Sequence, residues 1–210
     1  MTSILKADTI QDTDGNNIIN ENSNTITIGA SGDTISIPSG ATIANSGTAT
    51  GFNQITMIDQ FRLSASIAGA NHVIDANWER PDTGISAQFG SIQMSQSSGI
   101  FTFPSTGFYK VDFIAGLSYG NVADNQTNIF TQFTENNSSY ANYAVAFAGS
   151  NSSSNNSRFT VSSSIIVDIT DTSNQKVRFE GTSFQSSNVV IEGDTGYNVT
   201  TATFTRIGDT

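Results

Sequence analysis

Residues Gly99-Ile-Phe-Thr-Phe-Pro-Ser-Thr-Gly-Phe-Tyr-Lys-Val-Asp-Phe-Ile-Ala-Gly-Leu-Ser-Tyr119 read as strand, tight turn, strand. Phe101 and Phe103 are two residues apart, so both project from one side of an extended segment. Pro104-Ser-Thr-Gly107 carries turn chemistry: proline presets φ, and glycine admits the positive φ that a Cβ resists. Beyond the turn, Tyr109, Val111, Phe113, Ala115 and Leu117 alternate with Lys110, Asp112 and Gly116, the period of a strand with one buried face. Two aromatic strands of this kind are not stable alone and need a second sheet to cover them.

The rest of the chain has the same character. Phe, Ile, Val and Thr are plentiful, and no long run shows the 3.6-residue period of an amphipathic helix, so the expected fold class is all-β. Charged residues make up 12% of the chain, and Ser, Thr, Asn and Gly carry the polarity, as suits an extracellular or particle-borne protein. The 18 acidic residues outnumber the 8 basic ones, for a net charge of -10 without any Lys/Arg cluster, which argues against nucleic acid as a partner. Without cysteine there is no disulfide framework, thiolate nucleophile or zinc knuckle. The start, Met1-Thr-Ser-Ile-Leu-Lys-Ala-Asp8, lacks the regions of a signal peptide, and no apolar run approaches a membrane span. The expectation is a protein made in a host cytoplasm, released by lysis and not inserted in a membrane, a profile that virion parts share.

Two regions follow, 1–52 and 53–210. In the first, Thr9-Ile-Gln11 and Asn17-Ile-Ile19 flank Asp12-Thr-Asp-Gly-Asn16, a hairpin signal because Asp-Gly tolerates positive φ. The clustered Asp and Asn oxygens invite calcium, but the glycine falls at the fourth place and the glutamate of an EF-hand loop is missing, which favours a plain turn. Ile26 with Ile28, Ile35 with Ile37, and then Ile43 form short apolar pairs broken by Gly29-Ala-Ser-Gly32 and Pro38-Ser-Gly40. Each pair is too small for a core within one chain. The favoured reading is strands buried between subunits, as stacked rungs or three chains about an axis; the other is a flexible Ser/Gly/Thr linker. Ile26, Ile28, Ile35 and Ile37 are thus candidate trimer contacts, and Ser46-Gly-Thr-Ala-Thr-Gly51 reads as the joint to the next region.

From residue 53 apolar density rises, with strands expected at 58–64, 87–94, 99–103, 107–119, 127–135, 140–147, 159–168, 176–183, 189–192 and 202–207. Short strands joined by Gly-, Asn- and Ser-rich turns indicate a jelly-roll β-sandwich.

Gly99-x-Phe-x-Phe-Pro-x-x-Gly-Phe-Tyr-x-Val-x-Phe113 resembles the signature of the jelly roll shared by tumour necrosis factor and the globular heads of complement and collagen-like proteins. Ile165-Ile-Val-Asp168, Lys176-Val-Arg-Phe179 and Ala202-Thr-Phe-Thr-Arg206 extend the resemblance, whereas the usual leucine-rich strand and the collagen or transmembrane stalk are missing. The resemblance implies a threefold head in which aromatic sheet faces pack about the axis, making Tyr109, Phe113 and Phe204 candidate trimer contacts. The start of the chain, Ser3-Ile-Leu-Lys-Ala-Asp-Thr-Ile-Gln-Asp-x-Asp-Gly-Asn-Asn-Ile-Ile19 with Asp33-Thr-Ile-x-Ile-Pro-Ser-Gly-Ala-Thr42, resembles fibre-like structural proteins of tailed phages with marine and cyanobacterial hosts. That implies an N-terminal module joined to other virion proteins of the tail or capsid.

No catalytic constellation emerges, and no enzyme activity, cofactor or metal is expected. His72 is the only histidine and has no serine or cysteine elbow to serve. The glycine-rich segments lack the lysine of a P-loop. Asp75 with Glu79, Asp168 with Asp171, and Glu192 with Asp194 are carboxylate pairs of the kind a glycosidase uses, but each sits near turns where carboxylates are common. Trp78 is a candidate sugar platform, set against an aromatic that anchors a long loop. Tyr140 and Tyr143, in Glu135-Asn-Asn-Ser-Ser-Tyr-Ala-Asn-Tyr143, are candidate surface-recognition residues because tyrosine gives contact area at low entropic cost. Sequons at Asn125 and Asn198 arise by chance in a chain of this composition. The expectation is a bacteriophage structural protein: a homotrimeric tail fibre or spike whose head binds a host glycan or protein. A capsid head fibre or cement protein is the alternative, and a glycan-degrading tailspike a second.

Overall fold

A computed structural model of the chain describes residues 9–11, 13, 15, 17–23, 25–29, 31–44, 55–69, 71–82 and 84–210. Among them every regular element is a β-strand. The chain forms two compact units, Met1–Thr50 and Gly51–Thr210.

The first unit holds an antiparallel sheet of β1 (Thr9–Gln11), β2 (Asn17–Asn22) and β3 (Thr25–Ile28), in that order. Register places Ile10 opposite Ile19 and Ile19 opposite Ile28, a ladder that stays exposed along with Ile26. The strands of the expected hairpin are present; its turn residues Asp12, Asp14 and Asn16, on which calcium would depend, and the 46–51 joint lie outside the described residues. No strand forms over 31–44, so the pairs expected at Ile35–Ile37 and Ile43 are not rungs of a sheet. Pro38 starts a turn there, with the Ala41 amide donating to its carbonyl at 3.0 Å, and Ile35 and Ile37 are exposed.

The second unit contains β4 (Met57–Leu63), β5 (Ala65–Ala68), β6 (His72–Val73), β7 (Trp78–Glu79), β8 (Ser95–Ser97), β9 (Ile100–Thr102), β10 (Gly107–Tyr119), β11 (Asp124–Thr134), β12 (Ala141–Ser150), β13 (Ser157–Ile169), β14 (Lys176–Thr182), β15 (Val189–Asp194) and β16 (Thr201–Gly208). Sheet I has seven strands, ordered β5-β15-β10-β16-β4-β7 with β13 along the other side of β10; sheet II has six, ordered β12-β11-β14-β9-β8 with β6 on β14. β10 pairs with β13 from Gly107–Ile169 to Tyr119–Ser157, and on its other side with β16 and then β15. The far rim of β13 pairs with no strand among the described residues.

The inward faces of the two sheets close a core of aromatic residues. Phe113 of sheet I stacks on Phe179 of sheet II, centroids 4.1 Å apart, and Phe101 lies 5.1 Å from both Phe61 and Phe204. The Pro104–Gly107 turn joins the sheets. Gly107 has φ +139°, and a Cβ there would stand 2.5 Å from the Gly208 carbonyl oxygen, so the position requires glycine.

Two expectations are corrected. Tyr109, Phe113 and Phe204 are 0%, 1% and 0% exposed within one chain, so their side chains have no surface to offer a neighbour. Large aromatic side chains on a two-residue period go to the dry side of the sheet, and here that side is the sandwich interior. The strand expected over 87–94 reduces to a single bridge, Phe89 with Ile58.

Candidate functional site

The outward face of sheet I is set by the same alternation. β4, β16, β10 and β13 place Ile58, Thr205, Lys110 and Ile166 in one row and Gln60, Thr203, Asp112 and Ser164 in the next. Thr201, Ile114 and Ser162 continue it. Phe108 is 39% exposed, Ile114 40% and Ile166 62%. The polar groups between them are tied down: Gln60 Nε2 donates to Thr203 Oγ1 at 2.8 Å, Ser164 Oγ donates to Asp112 Oδ1 at 2.6 Å, and Lys110 pairs with Asp112 at 2.9 Å. A mixed face, with exposed Phe108, Ile114 and Ile166 set among internally satisfied hydroxyls and one neutralised ion pair, has the chemistry of a protein–protein interface.

One end of sheet I is braced by ion pairs. Arg62, on β4, is 1% exposed; its Nε donates to Glu79 Oε1 at 2.8 Å and its Nη2 to Asp82 Oδ1 at 3.0 Å and to the Thr195 carbonyl. The hydrogen bond from Arg62 holds the Glu79 carboxyl below the usual range. Asp59 is fully buried, gripped by Arg80 through Nε–Oδ1 at 3.0 Å and Nη2–Oδ2 at 2.9 Å.

The candidate recognition residues do not converge. Trp78 packs between the sheets against Phe101 and Phe179, and its Nε1 donates to the Ile74 carbonyl at 2.8 Å. It anchors the core rather than offering a stacking platform. Tyr143 is exposed at the β12 end of the sandwich, edge-on to Phe133, and donates to Glu135 Oε1 at 2.9 Å; this bond pushes its phenol up. It borders a groove of about 220 Å³ floored by Phe133, Ile165, Val167 and Ile169. Tyr140 instead lies under Arg178, 4.0 Å above its ring, and burial raises its phenol.

Several of the carboxylates read as acid–base pairs have structural engagements. Glu79 is bound to Arg62, and Glu192 pairs with Arg158 at 3.3 Å. Asp171 caps a turn by accepting from the Ser173 amide at 2.9 Å, and Asp194 does so from the Gly196 amide at 2.6 Å. His72 sits half-buried in β6, paired with Gly181.

No family model and no curated protein matches the chain. Solved structures do. The chain is similar to murine APRIL at pH 5.0, with 9% identity, 71% of this chain and 98% of that one covered, and a TM-score of 0.50. It is also similar to Eiger TNF from S. frugiperda, with 10% identity, 75% and 96% covered, and a TM-score of 0.54. The chain carries a tumour-necrosis-factor-like jelly roll. The fold implied by the Gly99–Phe113 resemblance is therefore present, as a likeness of structure.

The outward residues Phe108, Ile114 and Ile166 were not among the expected contacts. For two of them the signal was available: Phe108 and Ile114 lie on the opposite parity of β10 from Tyr109 and Phe113, whereas Ile166, within Ile165-Ile-Val167, joins that face only through its pairing with Lys110.

Proposed function

We propose that this chain is a homotrimeric virion surface protein, a tail fibre or spike whose jelly-roll head meets the host surface and whose N-terminal unit joins the particle. The open face of sheet I carries the proposal. Phe108, Ile114 and Ile166 stand exposed on the outward face of a tumour-necrosis-factor-like sandwich, among polar side chains that bond to one another, and a second copy removes them from water. The exposed isoleucine ladder of the N-terminal sheet supports association of that unit too. The hydroxyl- and amide-rich composition and the resemblance of the first fifty residues to phage fibre proteins support a place on a particle.

The test is sedimentation equilibrium of the full chain beside Ile114→Lys. The wild type is expected at three times the 22.2 kDa chain mass, and the charged variant at lower mass with its β spectrum intact. A monomeric wild type overturns the trimer. Labelled trimer that coats susceptible cells supports the fibre; trimer that binds capsids and leaves cells bare makes it a decoration protein.

A further inference from the structure

Sheet II presents its own outward face, and register lays a grid on it. Phe147 stands opposite Asn128, and Asn128 opposite Thr182; Val145, Phe130 and Glu180 make the next row, and Asn142, Gln132 and Arg178 the third. The third row is a hydrogen-bonded chain. Gln132 Nε2 donates to Asn142 Oδ1 at 2.8 Å and to the Glu180 carboxylate, while Arg178 Nε donates to Gln132 Oε1 at 2.7 Å.

Three side chains on this face keep an exposed surface or an unpaired polar atom. Phe147 is 67% exposed. Beside it Asn128 is 9% exposed; its Nδ2 donates to Ser183 Oγ at 3.1 Å, but its Oδ1 is buried without a hydrogen-bond partner. The hydroxyl of Tyr140, whose ring lies under Arg178, is likewise buried without one. Buried polar atoms are almost always paired, so an orphan beside a bare aromatic ring, with a second orphan two rows along the same face, marks a place where a ligand completes the hydrogen bonding.

The chemistry selects the ligand. Arg178 and Glu180 balance each other on this face, and a chain of net charge -10 repels polyanions. What remains is an aromatic ring beside planar amides that both donate and accept. A neutral sugar matches it: the C–H face of a pyranose packs on the ring, and hydroxyls donate to Asn128 Oδ1. Three strands span about 10 Å and five residues about 14 Å, the footprint of a short oligosaccharide. We infer that the outward face of sheet II is a carbohydrate-binding surface for neutral oligosaccharides, with Phe147 as platform and Asn128 as acceptor. The inference rests on the host-surface reading above and names the chemistry that surface would meet.

The experiment titrates the full-length protein with neutral hexasaccharides of glucose, galactose, mannose and N-acetylglucosamine, followed by calorimetry and NMR. At least one should bind, and Phe147→Ala should weaken it by about tenfold or more with the melting temperature unchanged. Asn128→Leu should do the same, and Tyr143→Ala, at the separate groove, should not. Absence of binding to all four at about 10 mM overturns the inference, as does binding that survives Phe147→Ala or is lost in Tyr143→Ala. A trimer that coats cells yet ignores all four sugars removes this inference and leaves the attachment reading standing, whereas a monomer removes the trimer alone.

Discussion

Asp59 shows how one buried carboxylate ties a strand to the segments that carry Arg80 and Met94. Its carboxylate is fully buried and accepts from both arms of Arg80 and from the Met94 amide at 2.9 Å, while the Arg80 guanidinium lies 4.5 Å over Phe61. Replacing it by alanine leaves a guanidinium and an amide without their acceptor. Asp59→Ala is expected to lose about 3 kcal/mol of stability by denaturant titration; a loss below about 0.5 kcal/mol would mean that water replaces the carboxylate freely. Glu79 adds a pH dependence. Its folded pKa is lowered, chiefly by the Arg62 hydrogen bond, so its contribution is present above the unfolded value and disappears as the pH falls through the folded one. The melting temperature should drop as acid is added below about pH 4.3, and Glu79→Gln should be less stable at neutral pH with a shallower acid limb. Parallel acid limbs for the two proteins would assign the lability to other carboxylates. Neither role was legible from the sequence, where both residues are single acids among eighteen; their partners are brought together only by folding.

At the scale of elements, β10 was legible end to end, because thirteen residues of alternation between a Pro-x-x-Gly turn and a glycine leave no other register. Its sidedness was legible too, but not which side meets a neighbour. The largest aromatics were expected at the interface, yet they fill the interior, and the interface candidates are the smaller set on the other parity. Gly107 fixes where β10 begins. At φ +139° with the Gly208 carbonyl 2.5 Å from any added Cβ, Gly107→Val is expected to lose about 2 kcal/mol or more, read by chemical denaturation. Wild-type stability in that variant would show that the turn relaxes without strain. The short strands β6 and β7 were missed because two residues carry no period, and the 87–94 strand was over-read because its apolar residues lie in a loop held from outside by the Asp59 cluster.

At the scale of the whole molecule, the two sheets of the second unit present outward faces of different chemistry. On the proposed reading the mixed outward face of sheet I meets other copies of the chain, while sheet II keeps a grid of amides and aromatics on the opposite side of the sandwich. That division follows from the fold: a two-layer sandwich has two outward faces, and one can be buried by assembly without blocking the other. The jelly-roll class was legible from one aromatic turn and the spacing of strands. The grid was not, because Phe147, Asn128 and Arg178 belong to three strands, and only register makes them neighbours.

The bare rim of β13 has a practical consequence. All thirteen residues pair with β10 on one side, while the backbone groups on the other side meet no strand among the described residues, and the strand contains no proline, glycine or lysine to discourage addition of another. A chain kept apart from its fellows carries a template onto which the same strand of another molecule can add, rim to rim, in a closed pair. Recombinant yield and shelf life then depend on how often two such rims meet before they are otherwise covered.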